Sequence, residues 1–305
     1  MISNIYIITL DGVIRYFKSF FGADHANNDI VSFLTLITRV SKKIEGGNIR
    51  SLNFENFNFV YIYGQQDYVF IVTTDHYDPE DEVRYKLELV KEEFFKRFKS
   101  GLGTGKDQSA QIRDFGNFIE SNIIIPPKIL LAGEDGVGKS TIMNLFPGET
   151  VLEIDDDMNE IIEKTVKISH LEGINEFIIR EINLTDLVEN FSSYKPLIAK
   201  INIICMVTNS GAGNLSKTRS LYSRLKERVK NIDFYILANF QDSVNSAFEP
   251  SKINDSFGLT TFGFSAIQGN SREQINQIIK NMIEISILKK NKNISISSIK
   301  EIKKY

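Results

Sequence analysis

The stretch Gly133-Glu134-Asp135-Gly136-Val137-Gly138-Lys139-Ser140 constrains this chain more than any other, because it fits G-x-x-x-x-G-K-[ST] in a strand, loop, helix setting. Lys128 to Ala132 before it is a short apolar run that reads as a buried strand. Thr141 to Phe146 after it reads as the start of a helix. A glycine-rich loop between such elements lets successive backbone N–H groups curl around a phosphate chain at the positive end of the helix. On this reading Gly133, Asp135, Gly136, Val137, Gly138 and Thr141 form the phosphate cradle, Lys139 neutralises the outer phosphates, and the Ser140 hydroxyl is placed to hold Mg²⁺. The expected ligand is a nucleoside di- or triphosphate.

At 305 residues, 42% of them hydrophobic and 25% charged, the chain has the composition of an ordinary globular protein and the length of two domains. A net charge of −3 supplies no basic field, so no nucleic-acid partner is expected. The single Cys205 sits in the apolar run from Ile201 to Val207; it reads as core, and without a second cysteine a reducing compartment is the natural setting. His25, His76 and His170 are far apart, and no Cys or His pair has metal-ligand spacing, which argues against zinc. No apolar stretch has the length of a membrane span, and the N-terminal segment lacks the basic start and small-residue cleavage site of a signal peptide. A cytoplasmic location is expected.

The chain reads as two halves and a tail. Residues 1–125 carry a hairpin about Asp11-Gly12, a helix with Ile30, Phe33, Leu34 and Ile37, and two strands from Phe57 to Tyr63 and Tyr68 to Thr73. Then come an amphipathic helix bearing Val83, Leu87, Val90, Phe94 and Phe98, a glycine break at Gly101, Gly103 and Gly105, and a last helix with Ile112, Phe115, Phe118 and Ile119. That order describes a small α+β domain, an antiparallel sheet with helices packed on it. In pattern and size it resembles the longin domain of trafficking adaptors; a roadblock-like domain has similar architecture. The resemblance implies binding of protein partners through this half.

Residues 126–287 alternate differently. Strand-like runs from Phe177 to Ile182, Ile201 to Val207 and Asp233 to Ala238 are separated by helix-length segments, the pattern of an α/β fold whose mostly parallel sheet is covered by helices on both faces. Ligands of such sheets bind at the C-terminal ends of the strands. A last helix around Gln274 to Ile285 presents Ile275, Ile278, Ile279, Met282 and Ile283 inward. Residues 288–305 form a basic tail with Lys289, Lys290, Lys292, Lys300, Lys303 and Lys304. It reads either as a solvated extension or as a peripheral contact to an anionic membrane or partner.

The strand ending at Ala238 runs into Asn239-Phe240-Gln241-Asp242. A carboxylate at that place can accept two hydrogen bonds from the N1–H and amino group of guanine, a donor pair that adenine lacks. Asn239 can tie this loop to the phosphate loop and touch the base. In Ser265-Ala266-Ile267 a backbone N–H can meet the guanine oxygen. The run from Ile236 to Asp242 resembles the guanine-reading Asn-Lys-x-Asp stretch of Ras-like small GTPases, most closely the Arf branch. Ser265-Ala266 is similar to that family's Ser-Ala loop, and Asp135 to the Arf pattern Gly-x-Asp-x-x-Gly-Lys. The resemblance spans residues 127 to 287 and implies GTP or GDP with Mg²⁺ as ligands, in a P-loop GTPase-like fold. Phe240 stands in place of the family's lysine and can cover the base by stacking.

The resemblance weakens around the third phosphate. Glu181-Ile182-Asn183-Leu184 stands where the family has Asp-x-x-Gly, so Glu181 is the candidate metal carboxylate and Leu184 replaces the mobile glycine. Thr185 occupies the place of the glutamine that orients attacking water in the Arf branch. No threonine lies between Val151 and Lys164; Asp155-Asp156-Asp157 lies there instead, either a solvated acidic turn or, at Asp157, a second metal carboxylate. GTP hydrolysis is thus expected to be slow or absent. The two readings are a guanine-nucleotide-binding protein of trafficking or targeting and an inactive nucleotide-stabilised scaffold. An ATP-using kinase would have no use for Asn239-x-x-Asp242.

Overall fold

The computed structural model describes residues 2–20, 28–43, 48–54, 57–75, 78–98, 107–154, 160–169, 171, 174–229, 232–243 and 245–302, with side chains described for all of these except 28–29, 41–43, 107–108, 153–154, 160 and 290–302. Two compact units result, one of residues 1–125 with 172–174 and 287–305, the other of 126–171 with 175–286.

The first unit contains β1 (Asn4–Thr9), β2 (Ile14–Ser19), α1 (Asn28–Lys43), β3 (Ser51–Asn53), β4 (Asn58–Tyr63), β5 (Tyr68–Thr74), α2 (Glu80–Arg97) and α3 (Asp107–Asn122). Its strands pair in the order β2-β1-β5-β4-β3, every pair antiparallel. Because side chains alternate along a strand, the sheet sorts its apolar residues into two cores. Ile5, Ile7, Val60, Ile62, Phe70 and Val72 join Val83, Leu87, Val90 and Phe94 of α2 and Phe115 and Ile119 of α3. Tyr6, Ile8, Phe59, Tyr61, Val69 and Ile71 join Val31 and Leu34 of α1 on the other face. In α2 the acidic Glu80, Asp81 and Glu82 open the helix and the basic Lys96 and Arg97 close it, both matching the helix dipole.

Two local details add to the sequence pattern. The hairpin tip is a three-residue loop, Leu10-Asp11-Gly12, in which Thr9 N–H donates to Val13 O at 3.0 Å and Gly12 alone takes a positive φ, 92°. The extra residue accompanies a register shift at Ile7/Ile8. Ile112 of α3 is exposed, while Phe115 and Ile119 of the same helix are buried against the sheet. Gly101, Gly103 and Gly105 lie outside the described residues.

The second unit contains β6 (Lys128–Gly133), α4 (Lys139–Leu145), β7 (Thr150–Ile154), β8 (Glu160–Lys167), β9 (Glu176–Asn183), α5 (Leu184–Glu189), α6 (Phe191–Ile198), β10 (Ile203–Thr208), α7 (Ala212–Arg228), β11 (Asp233–Ala238), α8 (Pro250–Phe257), β12 (Thr261–Gly263) and the first part of α9 (Ser271–Ile302). The seven strands are ordered β12-β11-β10-β6-β9-β8-β7; β12 to β9 run parallel and β8 and β7 antiparallel. All six residues of β10 are buried, as a parallel strand covered on both faces requires. Leu130, Ala132, Ile204, Met206, Ile236 and Ala238 pack with residues of α5, α6, α7 and α8. The alternate set, Ile129, Leu131, Cys205, Val207 and Leu237, faces the other way and is equally buried. The expected stripe Ile275, Ile278, Ile279, Met282 and Ile283 is buried. The basic segment after it is a continuation of the α9 backbone to Ile302. A buried lysine, Lys164 of β8, donates from Nζ to Met143 O and Phe146 O, each at 3.1 Å, and so satisfies the carbonyls at the end of α4.

Candidate nucleotide site

The described motif residues of the second unit gather at the C-terminal side of the parallel strands, in the phosphate loop and the start of α4 after β6, at the end of β9, and in the loops after β11 and β12. Gly133 ends β6 and starts the phosphate loop; a Cβ there would lie 2.6 Å from Val207 O, so only glycine lets β6 and β10 approach. Gly136 and Gly138 take φ of 77° and 94°, and Val137 between them is buried. A Cβ on Gly138 would lie 2.4 Å from Asn239 Nδ2. That close approach is what the sequence reading assigned to Asn239: its amide, 2% exposed, donates to Val137 O at 3.0 Å while its Oδ1 accepts the Ala266 N–H at 3.3 Å. One buried side chain therefore joins the phosphate loop, the loop after β11 and the loop after β12.

Lys139 folds over its own loop, donating from Nζ to Gly133 O and Glu134 O, each at 2.9 Å. Burial lowers its pKa from the ordinary value, and the carboxylates of Asp135, Glu181 and Glu134 partly restore it. Ser140 Oγ donates to Glu181 Oε1 at 3.0 Å. The other carboxylate oxygen, Glu181 Oε2, is buried with no protein partner. An orphaned carboxylate oxygen beside a serine hydroxyl is a hard-oxygen pair of the kind Mg²⁺ takes, with water completing its shell, so the residues present fit the metal. Thr141 follows on α4 with an exposed side chain, and Asp157 lies outside the described residues. Among the described residues no cluster of three His, Cys, Asp or Glu side chains forms a metal site.

In the base loop, Phe240 holds a left-handed φ of 62° and is half-buried, and a Cβ on Gly138 would lie 3.8 Å from its Cε2. Asp242 is exposed and accepts from Ser265 Oγ at 2.5 Å, which fixes one carboxylate oxygen. Ser265 is buried, whereas Ile267 is 76% exposed. Two residues that sequence reasoning passed over brace this loop. Ser210, buried two residues past the end of β10 with φ 61°, donates to Asn239 O at 2.6 Å and accepts from Gln241 Nε2 at 2.8 Å.

A second network was also missed. Glu134 Oε1 accepts from Thr185 N at 3.1 Å and Thr185 Oγ1 at 2.7 Å, and Glu134 Oε2 pairs with Lys217 of α7. Burial alone would raise the Glu134 pKa; the Lys217 and Thr185 hydrogen bonds outweigh it and hold the carboxyl below its ordinary value. Beside it Asn183 Nδ2 donates to Asp135 Oδ1 at 2.9 Å, and Asn183 Oδ1 caps α5 by accepting Asp186 N at 3.1 Å. Leu184, where a mobile glycine was the family pattern, is buried in the core with Leu187 and Val188.

No family model matches the chain. A tRNA modification GTPase MnmE of Nitrosomonas europaea is 24% identical over 163 residues, which cover 52% of this chain. The chain carries a domain homologous to the G domains of P-loop GTPases. The matched stretch spans 34% of that relative, about a third of its length. The chain also has a likeness to the solved structure of the cytosolic domain of the T. maritima FeoB iron transporter in its GMPPNP form, with 15% identity, TM-score 0.39, and 50% of this chain and 61% of that one covered. The FeoB G-domain from Methanococcus jannaschii gives 18% identity and TM-score 0.38, with 54% of this chain and 99% of that one covered. Among the described residues no helix is long and apolar enough to cross a membrane.

Proposed function

We propose that the G domain binds guanine nucleotide, GTP or GDP with Mg²⁺, as an Arf-like member of the small GTPases fused behind a longin-like module. The observation that carries this reading is Asn239, whose buried amide ties Val137 of the phosphate loop to Ala266. Tying these loops sets the spacing between a grip on the polyphosphate and a reader of the base. The amides of residues 133 to 141 and Lys139 hold the phosphates; Asp242 reads N1–H and the amino group; Ile267 offers its backbone N–H to the guanine oxygen, beside the Ala266 N–H that Asn239 Oδ1 already accepts; Phe240 covers one face. Ser140 and Glu181 would hold Mg²⁺, which when bound offsets charge between the outer phosphates.

The first unit supports the longin-like reading through its order of elements: a hairpin, a helix, three strands and two closing helices on one five-stranded antiparallel sheet. In this account it is the surface for protein partners, in membrane trafficking or protein targeting. The basic segment from Lys289 to Lys304 supplies the peripheral contact to an anionic membrane. A test is direct: heat-denature the purified chain and chromatograph what is released. Guanine nucleotide is the expected result; adenine nucleotide, or none after incubation with GTP, contradicts the proposal.

A second reading, a catalytically inactive nucleotide-stabilised scaffold, is favoured by Thr185. Its hydroxyl and N–H both engage Glu134, and it has no carboxamide with which to orient water. A single-turnover assay with labelled GTP separates the two. Hydrolysis near the unassisted small-GTPase rate, on the order of 10⁻⁴ s⁻¹, rejects the scaffold.

A further inference from the structure

We infer that Ser210 is a positioning residue for the base: its buried hydroxyl holds the chain on both sides of Phe240 and so keeps the Phe240 ring where it covers guanine. The inference rests on the guanine-nucleotide reading above and gives a part in that site to a residue outside every sequence motif.

Among the described residues φ is positive at four non-glycine positions, Gln66, Asp67, Ser210 and Phe240. Gln66 and Asp67 are the central pair of the tight turn between β4 and β5, closed by Tyr68 N–H to Gln65 O at 3.1 Å, where left-handed φ is the rule. Ser210 and Phe240 belong to no hairpin. They follow the parallel strands β10 and β11, one on each, and meet through hydrogen bonds. A side chain stays in that conformation only where its surroundings hold it, and such residues collect at binding sites.

What holds Phe240 is one hydroxyl. Ser210 Oγ donates to Asn239 O at 2.6 Å and accepts from Gln241 Nε2 at 2.8 Å, so the residue before Phe240 and the residue after it are bound to the same atom. Neither end of this clamp is free to drift. Gln241 also donates from Nε2 to Phe248 O and from its backbone N–H to Phe264 O, each at 3.1 Å. Ser210 is fully buried, donates its N–H to Thr208 Oγ1 at 3.3 Å and accepts the Phe248 N–H on its carbonyl at 2.9 Å. With φ fixed the direction of the Phe240 Cβ is fixed, and the ring stands beside Gly138, where the phosphate loop meets the base loop. A Phe240 relaxed to negative φ points its ring elsewhere.

The test is a double-mutant cycle, read by titration calorimetry of GDP in excess magnesium chloride into the nucleotide-stripped full chain: wild type, Ser210→Ala, Phe240→Ala and the double variant. Phe240→Ala is expected to weaken GDP binding about tenfold, the loss of one stacked ring, and Ser210→Ala to weaken it by about the same factor. In the Phe240→Ala background Ser210→Ala should cost less than about twofold, because no ring is left to place. A residue that only kept the domain folded would cost the same in both backgrounds. If Ser210→Ala does not fold, the same cycle with Gln241→Met, at a half-buried position, removes the second bond of the clamp; the expected loss is about threefold with Phe240 present and none without it. Losses that simply multiply, or unchanged GDP affinity in either single variant, overturn the inference and leave the guanine reading standing. Failure of the wild type to bind GDP, or displacement of bound GDP by equimolar ADP, overturns the base assignment itself and takes this inference with it.

Discussion

Gly138 shows how a single residue couples the two halves of the site. Its φ of 94° is one that side chains rarely adopt, and a Cβ would press against an Asn239 amide that is buried and already bonded to Val137 O. The Gly138→Ala variant should lose about 1–3 kcal/mol of stability, from left-handed strain and the displaced asparagine. Urea unfolding in the absence of nucleotide measures it; a loss under about 0.5 kcal/mol would mean that the glycine is not required there. Guanine affinity should fall in parallel, because the same contact sets the distance between phosphate loop and base loop. At this scale the sequence was most legible. The Gly-x-x-x-x-Gly-Lys-Ser run and Asn239-x-x-Asp242 are contiguous, so their chemistry can be read without knowing the fold. The partner of Glu134 could not be read that way, since Thr185 lies 51 residues away and Lys217 lies 83 away.

Among the elements, β6, β9 and the helix α5 behave as one piece because Glu134 and Asn183 stitch their ends together. Glu134 makes this stitching depend on pH. Its folded-state pKa is held below the ordinary 4.5, so its stabilisation is fully present above the unfolded value and is lost as pH falls through the folded one. The unfolding free energies of the wild type and Glu134→Gln should therefore differ near pH 7 and converge toward about pH 3. A gap that is constant across that range would show that the carboxylate charge is not what binds α5 to the phosphate loop. The parallel strands β6, β9, β10 and β11 were legible from their apolar runs. The edges of the two sheets were not: in the second unit β7 and β8 carry charged residues among apolar ones and pair antiparallel, and in the first unit β3 has only three residues, too few for a period to show. The helix α5 was hidden because Leu184 reads as a failed glycine until its burial is seen.

For the molecule as a whole, each unit has its own apolar core, so each should melt with its own cooperativity. Calorimetry of the full chain is expected to resolve two transitions. GDP at about 100 times its dissociation constant should stabilise the G domain alone, by about 2.7 kcal/mol. A shift of both transitions by equal amounts would contradict independent units and indicate coupling between them. The functional account rests on recognition of guanine by the second unit through one carboxylate, and that is open to a single comparison: GDP titrated into the wild type and into Asp242→Ala. The account predicts saturable binding to the wild type and an affinity about 100-fold weaker in the variant, the loss expected when two hydrogen bonds to a charged acceptor are removed. Equal affinity for the two proteins would contradict it.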